Sequence, residues 1–477
     1  MSGAARKSWA ERGVQLLVLL AAMGLVWGAQ RTLPGAPGVP GVPGVLAAVT
    51  GLGLLLLAGT LVSELVEVVG LPHLTGYLLA GILVGPHVLA LVDHHTVERL
   101  GVVNSLALAL IALAGGAELR IDSLRRAARS LLWAHLFQIV AVVVVVGGVF
   151  VALRRHIPFL DGLPTLAVVM VALLWGVLAT TRSPSAVLGL LTQLRPKGPL
   201  TEMTLAFVMS SDVVVILLLS VTLAMARLGL DPTAGFELSA FADVGHELLG
   251  SAALGTTLGL VLALYLRFGG RNVLLVLLAL GLPMSALLDY IHLDPLLSFM
   301  VAGFVVQNFS AGGDKLLHAV EKTGAIVFVV FFATAGAHLD LAGFALIWPI
   351  ALALAGTRLV VTVAAARSAS RVARDAPVIR TWGWSGMVSQ AGLALGVALV
   401  IVREFPAFGE GFRTLAIGVV GVNELLGPVL FKLGLDRTGE SYRGDDAVAA
   451  ASAVDEGGTV AGAAAGADAP PAARQPG

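Results

Sequence analysis

The amino-acid sequence predicts an all-α polytopic membrane protein of about fourteen transmembrane helices, arranged as inverted repeats with two broken helices that cross. Three observations support this fold class. Charged residues make up only 13% of the 477 positions and hydrophobic residues 57%, whereas soluble chains carry about 25% charged residues. Apolar runs of about 20 residues, long enough to cross a bilayer, recur along almost the whole chain. Segments in one half of the chain also resemble segments in the other half.

Charge and cysteine content exclude several kinds of protein. The 30 basic residues balance the 30 acidic ones, so no net positive charge draws the chain to nucleic acid. Cysteine is absent, which excludes disulfides, thiolate metal sites and cysteine nucleophiles. The residues form no pattern typical of a catalytic triad, a bound cofactor or a resident metal ion. We therefore expect a chain surrounded by membrane lipid and without enzymatic activity.

The apolar runs define the predicted spans and domains. Residues 1–44 comprise an N-terminal helix, or a cleaved signal peptide, followed by a Pro/Gly linker; residues 45–439 form the membrane domain; residues 440–477 form a disordered cytoplasmic tail. If the first span is retained, it adds one helix to a set of thirteen. The predicted spans lie near residues 13–29, 45–69, 74–91, 99–116, 129–153, 163–193, 199–227, 245–267, 272–289, 294–308, 318–337, 342–365, 381–403 and 412–435.

Basic residues predict the orientation of the chain. With both termini in the cytoplasm, arginines and lysines concentrate on the inner side, for example Arg125 and Arg126 and, later, Arg367 and Arg371. The positive-inside rule favours this arrangement. The cell (inner) membrane is the expected location.

An internal repeat relates the two halves of the chain. Residues 74–84 (LTGYLLAGILV) match residues 296–306 (LLSFMVAGFVV), and residues 113–121 (LAGGAELRI) match residues 333–341 (ATAGAHLDL). The copies are seven spans apart, and because seven is odd the second copy is upside down in the membrane. Inverted repeats are typical of secondary transporters, whose sites lie near the bilayer midplane where helices of both halves are interrupted.

Two spans carry residues that predict a break in the helix. In the span near 163–193, Pro184 removes a backbone hydrogen bond and disfavours helix at Ser183. In the repeat-related span near 381–403, Gln390 and Gly392 lie in a stretch of small and polar residues that suits an unwound turn. Broken helices expose carbonyl groups and dipole ends that can bind a cation within the protein. A proline kink filled by packing is the alternative.

Asp212 is a carboxylate in the middle of an apolar helix. Such a group costs about 2.5–3.5 kcal/mol in a membrane, so a functional role is favoured over that of a structural, hydrogen-bonded aspartate. An apolar environment disfavours the charged form, and we expect Asp212 to hold alternately a proton and a small cation. The predicted oxygen ligands of that cation are the freed carbonyls of the first broken span and the side chains of Thr180, Thr181, Ser183, Ser210 and Ser211.

Three further polar residues lie within predicted spans. Arg358 carries a permanent positive charge that either compensates the negative ends of the half-helices, pairs with Asp212 or reaches the cytoplasmic surface by snorkelling. Glu424 lies near the repeat-equivalent position of Asp212 and is either a second titrating group or a structural partner. His135 is isolated in the sequence from other polar residues, so we interpret it as a lone polar histidine rather than as part of a functional site.

The sequence resembles the monovalent cation:proton antiporter superfamily, in the branch that contains bacterial sodium/proton antiporters and glutathione-gated potassium efflux systems. The resemblance covers roughly residues 50–440 and rests on the segment LPHLTGYLLAGILVGP at residues 71–86, the Ser183-Pro184 break, Asp212, Phe331-Phe332 with Gly336, and Asn423-Glu424 with Gly427-Pro428. It implies a homodimer in which a mobile core carries the ion across by an elevator-like movement against a scaffold. It also implies that Asp212 is the shared proton and cation site and Arg358 the basic residue of the core.

Two positions depart from the pattern of this family. Electrogenic members have two adjacent acids, whereas here Ser211 takes the first position, which favours electroneutral exchange. Arg182 lies inside the helix break, where small polar residues are usual. This arginine neutralises Asp212, pairs with Glu424 or shapes a site for an unusual substrate.

The leading hypothesis from the sequence is exchange of sodium or potassium for protons. Arg182 suggests an alternative, the transport of another solute, such as an anion, on the same scaffold. A non-transporting membrane sensor is a further alternative.

Overall fold

The computed structural model describes residues 44–230, 239–268, 273–291, 293–339 and 341–441, together with the isolated positions 21, 23 and 24. This part of the chain is almost entirely helical and contains no β-strand. Short 3-10 helices span Arg154–His156, Pro158–Leu160 and Ser385–Met387. The α-helices are α1 (Gly44–Val68), α2 (His73–Val84), α3 (His94–Arg99), α4 (Gly101–Glu118), α5 (Ile121–Ala152), α6 (Thr165–Thr180), α7 (Pro184–Leu194), α8 (Pro199–Leu230), α9 (Ser239–Phe268), α10 (Val273–Tyr290), α11 (Pro295–Phe309), α12 (Gly313–Ala337), α13 (Leu341–Ala373), α14 (Pro377–Trp382), α15 (Gly392–Glu404) and α16 (Pro406–Thr438).

The helices correspond to the predicted spans that fall on described residues. Eight helical stretches are long and apolar enough to cross a membrane, and five shorter apolar helices lie among them. These match the spans predicted from residue 45 onward, so the prediction of an all-α polytopic protein is confirmed. The first predicted span, 13–29, lies outside the described residues apart from positions 21, 23 and 24, as does the predicted tail beyond residue 441.

Local sequence explains where several helices begin and end. Proline takes the first position of α7, α8, α11, α14 and α16, where its missing N–H costs nothing and its fixed φ suits the helix. The Asp294 side chain accepts a hydrogen bond from Leu297 N–H and so caps α11. The helix α2 ends at Val84 rather than near residue 91, because Pro86 cannot continue its hydrogen bonding.

Two pairs of glycines let helix backbones touch. Gly81 of α2 and Gly336 of α12 lie at one crossing, and Gly303 of α11 and Gly116 of α4 lie at the other. At each glycine a Cβ atom would collide with a backbone carbonyl group of the opposite helix. Gly81 is the repeat equivalent of Gly303, and Gly116 that of Gly336. The two crossings are therefore the same contact in the two copies, which supports the inverted repeat.

The helix α8 joins two apolar cores. Phe207 belongs to a core built largely from α2, α4, α7 and α9–α12, whereas Val215 belongs to one built from α5, α6, α13, α15 and α16. Asp212 lies on α8 between these two residues. The helix packs against both α6 and α7, the two halves of the first broken span, and against the 3-10 helix that precedes α15.

Candidate functional site

The first helix break lies at the predicted place. The helix α6 ends at Thr180, residues 181–183 are extended, and α7 begins at Pro184. The Ser183 side chain accepts a hydrogen bond from Ala186 N–H at 3.2 Å and caps the second half-helix. A serine cap followed by proline starts a new helix after the interruption, because the cap satisfies an N–H group that has no partner in its own helix. The break is therefore a real interruption and not a kink within a continuous helix.

The second break lies in the repeat-related span. A 3-10 helix ends at Met387, residues 388–391 are not helical, and α15 begins at Gly392. A Cβ atom at Gly392 would meet nothing within 4 Å, so lack of space does not explain this glycine. Both predicted breaks are thus present, and they bring carbonyl groups of two interrupted helices into the interior of the protein.

Gln390 connects the two breaks to α16. Its side chain is fully buried, and its Nε2 donates to Leu178 O at 3.0 Å and to Thr181 Oγ1 at 2.8 Å. Its Oε1 accepts from Asn423 Nδ2 at 2.8 Å. One side chain from the second break therefore binds the end of the first half-helix and also α16, which carries Glu424.

Arg358 of α13 bridges the two breaks. The side chain is 0% exposed, so it does not snorkel to the surface. Its Nε donates to Ala179 O at 2.8 Å and its Nη2 to Thr181 O at 2.9 Å, both at the end of α6. Its Nη1 donates to Val388 O at 2.6 Å, in the second break. Arg358 thus compensates the negative ends of two helical segments, which is one of the three roles considered for it.

Arg182 binds the same helix end from within the break. Its Nη1 donates to Thr180 O and Thr181 O, each at 2.8 Å, and its Nη2 donates to Gln138 Oε1 at 3.0 Å. Among the described residues, neither Asp212 nor any other acidic group accepts a hydrogen bond from it. The carbonyl groups that we expected to be free for a cation are therefore already occupied by two guanidinium groups.

The carboxylate of Asp212 is buried without a donor. The residue is 4% exposed, and within the described part of the chain neither of its oxygens has a hydrogen-bond partner. A structural aspartate in a protein interior would normally accept several hydrogen bonds. Neighbouring Ser211 is also buried, and its hydroxyl donates to Val208 O of its own helix at 2.6 Å. Asp212 is thus an acceptor whose capacity is not used by the surrounding protein.

Glu424 is a second buried carboxylate. It is 5% exposed, and its Oε1 has no hydrogen-bond partner among the described residues. It follows directly after Asn423, which is tied to Gln390 as described above. The two acids lie on α8 and α16, the last helices of the two repeat copies.

Comparisons with known proteins identify the family. The family model described as sodium/hydrogen exchanger, transmembrane, matches residues 52–432. This chain belongs to the sodium/hydrogen exchanger family. No curated protein matches the chain. The structure is similar to two of the sodium proton antiporter MjNhaP1 from Methanocaldococcus jannaschii, one of them determined at pH 8 and the other by electron microscopy.

The similarity to the MjNhaP1 structures covers most of both chains. The first has a TM-score of 0.61 at 16% sequence identity and covers 83% of this chain and 98% of that one. The second has a TM-score of 0.63 at 18% identity and covers 84% and 99%. At these identities the likeness establishes the shared fold, and the family match makes this protein a transporter.

A cavity leads towards the site of this family member. It has a volume of about 820 Å³ and lies between α4, α7, α8 and α12. Arg195 and Lys197, in the turn between α7 and α8, lie at its wall. On α8 it reaches Ala206, six residues before Asp212, a distance of about 9 Å along the helix axis.

Sequence reasoning missed one polar residue of this exchanger-family site, Gln138. Gln138 of α5 is 2% exposed and accepts from Arg182, while its Nε2 donates to Thr362 O at 3.0 Å. Gln138 and Arg358 are 220 residues apart, and so are the repeat-equivalent glycines Gly116 and Gly336. The alignment of the two repeat copies therefore pairs Gln138 with Arg358, and this pairing could have identified Gln138 from the sequence.

His135 is less isolated than its sequence context suggested. Its Nε2 lies 2.8 Å from Ser210 Oγ, and its ring stacks on Phe207 with centroids 4.5 Å apart. Both contacts are to α8. The Ser210 hydroxyl also donates to Ala206 O at 2.8 Å, so it is bound within its own helix and to α5.

Proposed function

We propose that this member of the sodium/hydrogen exchanger family exchanges a monovalent cation, Na⁺ or K⁺, for protons, and that Asp212 alternately holds the proton and the cation. The observation that carries the proposal is the buried Asp212 carboxylate without a hydrogen-bond donor on either oxygen. An isolated ionised carboxylate in an apolar interior is strongly unfavourable, so it either takes up a proton or binds a positive ion. These are the two states that an exchange cycle needs.

Hydroxyl oxygens are the proposed additional ligands of the cation. The hydroxyls of Thr180 and Thr181 donate to carbonyls of their own helix, at 2.6 and 2.8 Å. The oxygen of Thr181 also accepts from Gln390, so it keeps one lone pair for a cation, and that of Thr180 keeps lone pairs as well. Ser183 and Ser211 complete the proposed set. The carbonyls at the end of α6 take less part than we expected, because guanidinium groups already bind them.

The charge-compensating role of the other polar residues follows from the same contacts. Arg358 and Arg182 neutralise the partial negative charge of the half-helix ends, and this leaves Asp212 to the transported ions. Pro184, Gln390 and Gly392 set where the helices break, and Gln390 holds the two breaks together.

Exchange through a single carboxylate is electroneutral. One proton leaves Asp212 for each monovalent cation that binds, and Ser211 supplies no second titrating group beside it. Counting protons and cations exchanged by the purified protein tests this ratio, and a ratio other than one to one would contradict it.

An anion substrate bound by Arg182 is not favoured. Both terminal nitrogens of its guanidinium group already donate to protein acceptors, so an anion would have to displace carbonyl groups or Gln138. The group is also only 1% exposed. Only its Nε has no hydrogen-bond partner among the described residues, and a single buried N–H is less than the paired donors with which arginine usually binds an anion.

The decisive experiment measures exchange in proteoliposomes with a pH-sensitive dye, adding Na⁺, K⁺, Li⁺ or different anions in turn. We expect Asp212→Asn to abolish cation-dependent proton movement, since the amide can neither release a proton nor neutralise a cation. Asp161→Asn, at an exposed aspartate outside the helices, serves as control and should exchange as the native protein does. Native activity in Asp212→Asn, or flux that depends on the anion alone, would show the mechanism to be wrong.

We further propose a homodimer in the cell (inner) membrane with both termini in the cytoplasm, and a membrane domain that spans residues 45–439. The positive-inside distribution of arginine and lysine supports the orientation, and the resemblance to antiporters supports the dimer. Crosslinking of the protein in native membranes and labelling of single cysteines placed in the loops would test these points.

A further inference from the structure

Glu440 joins the end of the last helix to the start of the helix that carries Asp212. The helix α16 ends at Thr438, and Gly439 turns the chain with a φ of 73°. Glycine adopts this positive φ without a steric penalty. Glu440 follows directly and is only 6% exposed. A residue assigned from sequence to the beginning of a disordered tail is therefore buried against the helical domain.

The Glu440 carboxylate binds the first turn of α8 with both oxygens. One oxygen accepts the backbone N–H of Leu200 at 2.8 Å. The other accepts the backbone N–H and the hydroxyl of Thr201, at 2.8 and 2.7 Å. The backbone of Glu440 also accepts from Lys197 N–H at 3.2 Å. A side chain at Gly198 would collide with this carboxylate, so the turn before α8 is shaped to receive it.

Physical chemistry explains why this contact is strong. The first N–H groups of a helix have no acceptor within their own helix, and the positive end of the helix dipole favours a negative charge there. Caps usually come from the residue that precedes the helix. Here the cap comes from a residue 240 positions away from Leu200, with which it forms charge-assisted hydrogen bonds. It therefore fixes the position of one helix relative to another.

The second helix break lies between the two helices that Glu440 joins. On one side, Gly434 of α16 leaves no room for a side chain because Ser385 lies against it. On the other side, Gly386 lies against the side chain of Thr204 of α8. The start of the second break is thus held between α16 and α8. Glu440 joins the same two helices, because it follows the end of α16 and binds the start of α8.

We propose that Glu440 is a positioning residue for ion binding, which sets the register of α8, and with it Asp212, against the second helix break. This inference rests on the proposed function, because it concerns the affinity of the Asp212 site. Asp212 lies 11 residues beyond Thr201, about 17 Å along the helix, so Glu440 acts through the helix and does not touch the ion. Loss of the contact lets α8 move along the break and misplaces the carboxylate relative to the oxygens around it.

The test uses the full-length protein with Glu440→Gln. Glutamine has the same shape, but only one of its two terminal atoms is an oxygen that can accept a hydrogen bond. Its NH₂ group takes the place of the other oxygen and faces a backbone N–H, so two donors oppose each other. We expect the half-saturating cation concentration to rise about fivefold or more, the lower end of the coupling usual between linked sites, while the maximal rate stays within about twofold. In hydrogen exchange, the amides of Leu200 and Thr201 should exchange roughly tenfold faster, as for the loss of a hydrogen bond.

Asp436→Asn is the matched control. Asp436 lies on the same last turn of α16 and is 37% exposed; one oxygen contacts Lys432 at 3.0 Å. The other oxygen accepts from the Ser441 hydroxyl at 2.7 Å, and asparagine keeps an oxygen for that hydrogen bond. Asp436 makes no hydrogen bond to α8 among the described residues. We expect it to leave both the half-saturating concentration and the exchange of the α8 amides unchanged.

Results with either variant could overturn the proposal, two of them with Glu440→Gln. One is native half-saturation in Glu440→Gln; the other is a fall in yield, thermal stability and maximal rate with unchanged half-saturation, which is what a merely structural cap would give. An effect of the same size in Asp436→Asn would also overturn it, because it would trace the change to surface charge. Lack of any cation exchange by the native protein would refute the proposed function instead, and the amide exchange would still report on the Glu440 contact.

Discussion

Arg358 should not be replaceable by lysine, although lysine keeps the charge. The guanidinium group of Arg358 uses three different nitrogens to bind Ala179 O, Thr181 O and Val388 O. Two of these acceptors belong to the first break and one to the second. The planar fork of arginine reaches all three at once, whereas the lysine ammonium is a single nitrogen at the end of a flexible stem. A lysine bound to one break leaves the acceptor of the other break without its partner.

The size of the effect follows from the number of bonds lost. Hydrogen bonds that involve a charged group contribute about 1.5–3 kcal/mol each, so the loss of two of the three contacts costs roughly 3–6 kcal/mol. Because the site is fully buried, water replaces these contacts poorly. At an unfolding entropy of about 2.1 cal/mol/K per residue, a loss of 1 kcal/mol lowers the Tm of a domain of about 400 residues by roughly 1 °C. We therefore expect Arg358→Lys to lower the Tm by roughly 4–7 °C.

Thermal unfolding of the purified protein in detergent, followed by intrinsic tryptophan fluorescence, measures this effect. Arg371→Lys is the control, since Arg371 lies on the same helix at its exposed end. The control should unfold with the native protein. A Tm of Arg358→Lys within about 1 °C of the native value would refute the argument that the fork geometry holds the two breaks together.

Three other substitutions test separate parts of the structure. Gly81→Ala places a methyl group against a backbone carbonyl, so it should destabilise the protein by about 1–3 kcal/mol and lower its Tm. Gly53→Ala is the control, because a Cβ atom there meets nothing within 4 Å, and it should not lower the Tm. Glu424→Gln should keep a ratio of one proton per cation in counted exchange; a changed ratio would show that Glu424 also carries a transported proton. Gln138→Leu removes the side-chain acceptor of Arg182 and should cost about 1.5–3 kcal/mol in the same thermal assay. Gln138→Glu keeps that acceptor but loses the donor to Thr362 O, so it should restore only part of the loss.

The sequence was sufficient for the features that depend on local chemistry. Apolar length predicts the spans, because a helix needs about 20 apolar residues to cross the bilayer. Pro184 predicts the first break, because proline lacks the N–H that a continuous helix would use. The repeat then predicted the second break near Gln390. Each of these depends on a few neighbouring residues and on the register between the copies.

The partners of the charged side chains could not be read from the sequence. Arg182 had three candidate roles, and its contacts are with carbonyl groups of the turn that precedes it and with Gln138 on another helix. Main-chain carbonyls are present at every position, so no residue type marks them as partners. Glu440 was missed for a similar reason, because its carboxylate oxygens accept hydrogen bonds from backbone N–H groups far away in the chain.

The two buried guanidinium groups give the site a fixed charge on which the membrane voltage acts. One elementary charge that crosses the membrane changes in energy by about 2.3 kcal/mol per 100 mV. Arg182 and Arg358 contribute the same charge at every step, and under the proposed scheme a proton or a monovalent cation adds the same single charge at Asp212. The two loaded forms then experience the same electrical force but move in opposite directions, so the voltage favours one leg of the cycle and opposes the other by the same amount. The direction of net exchange is left to the two ion gradients alone.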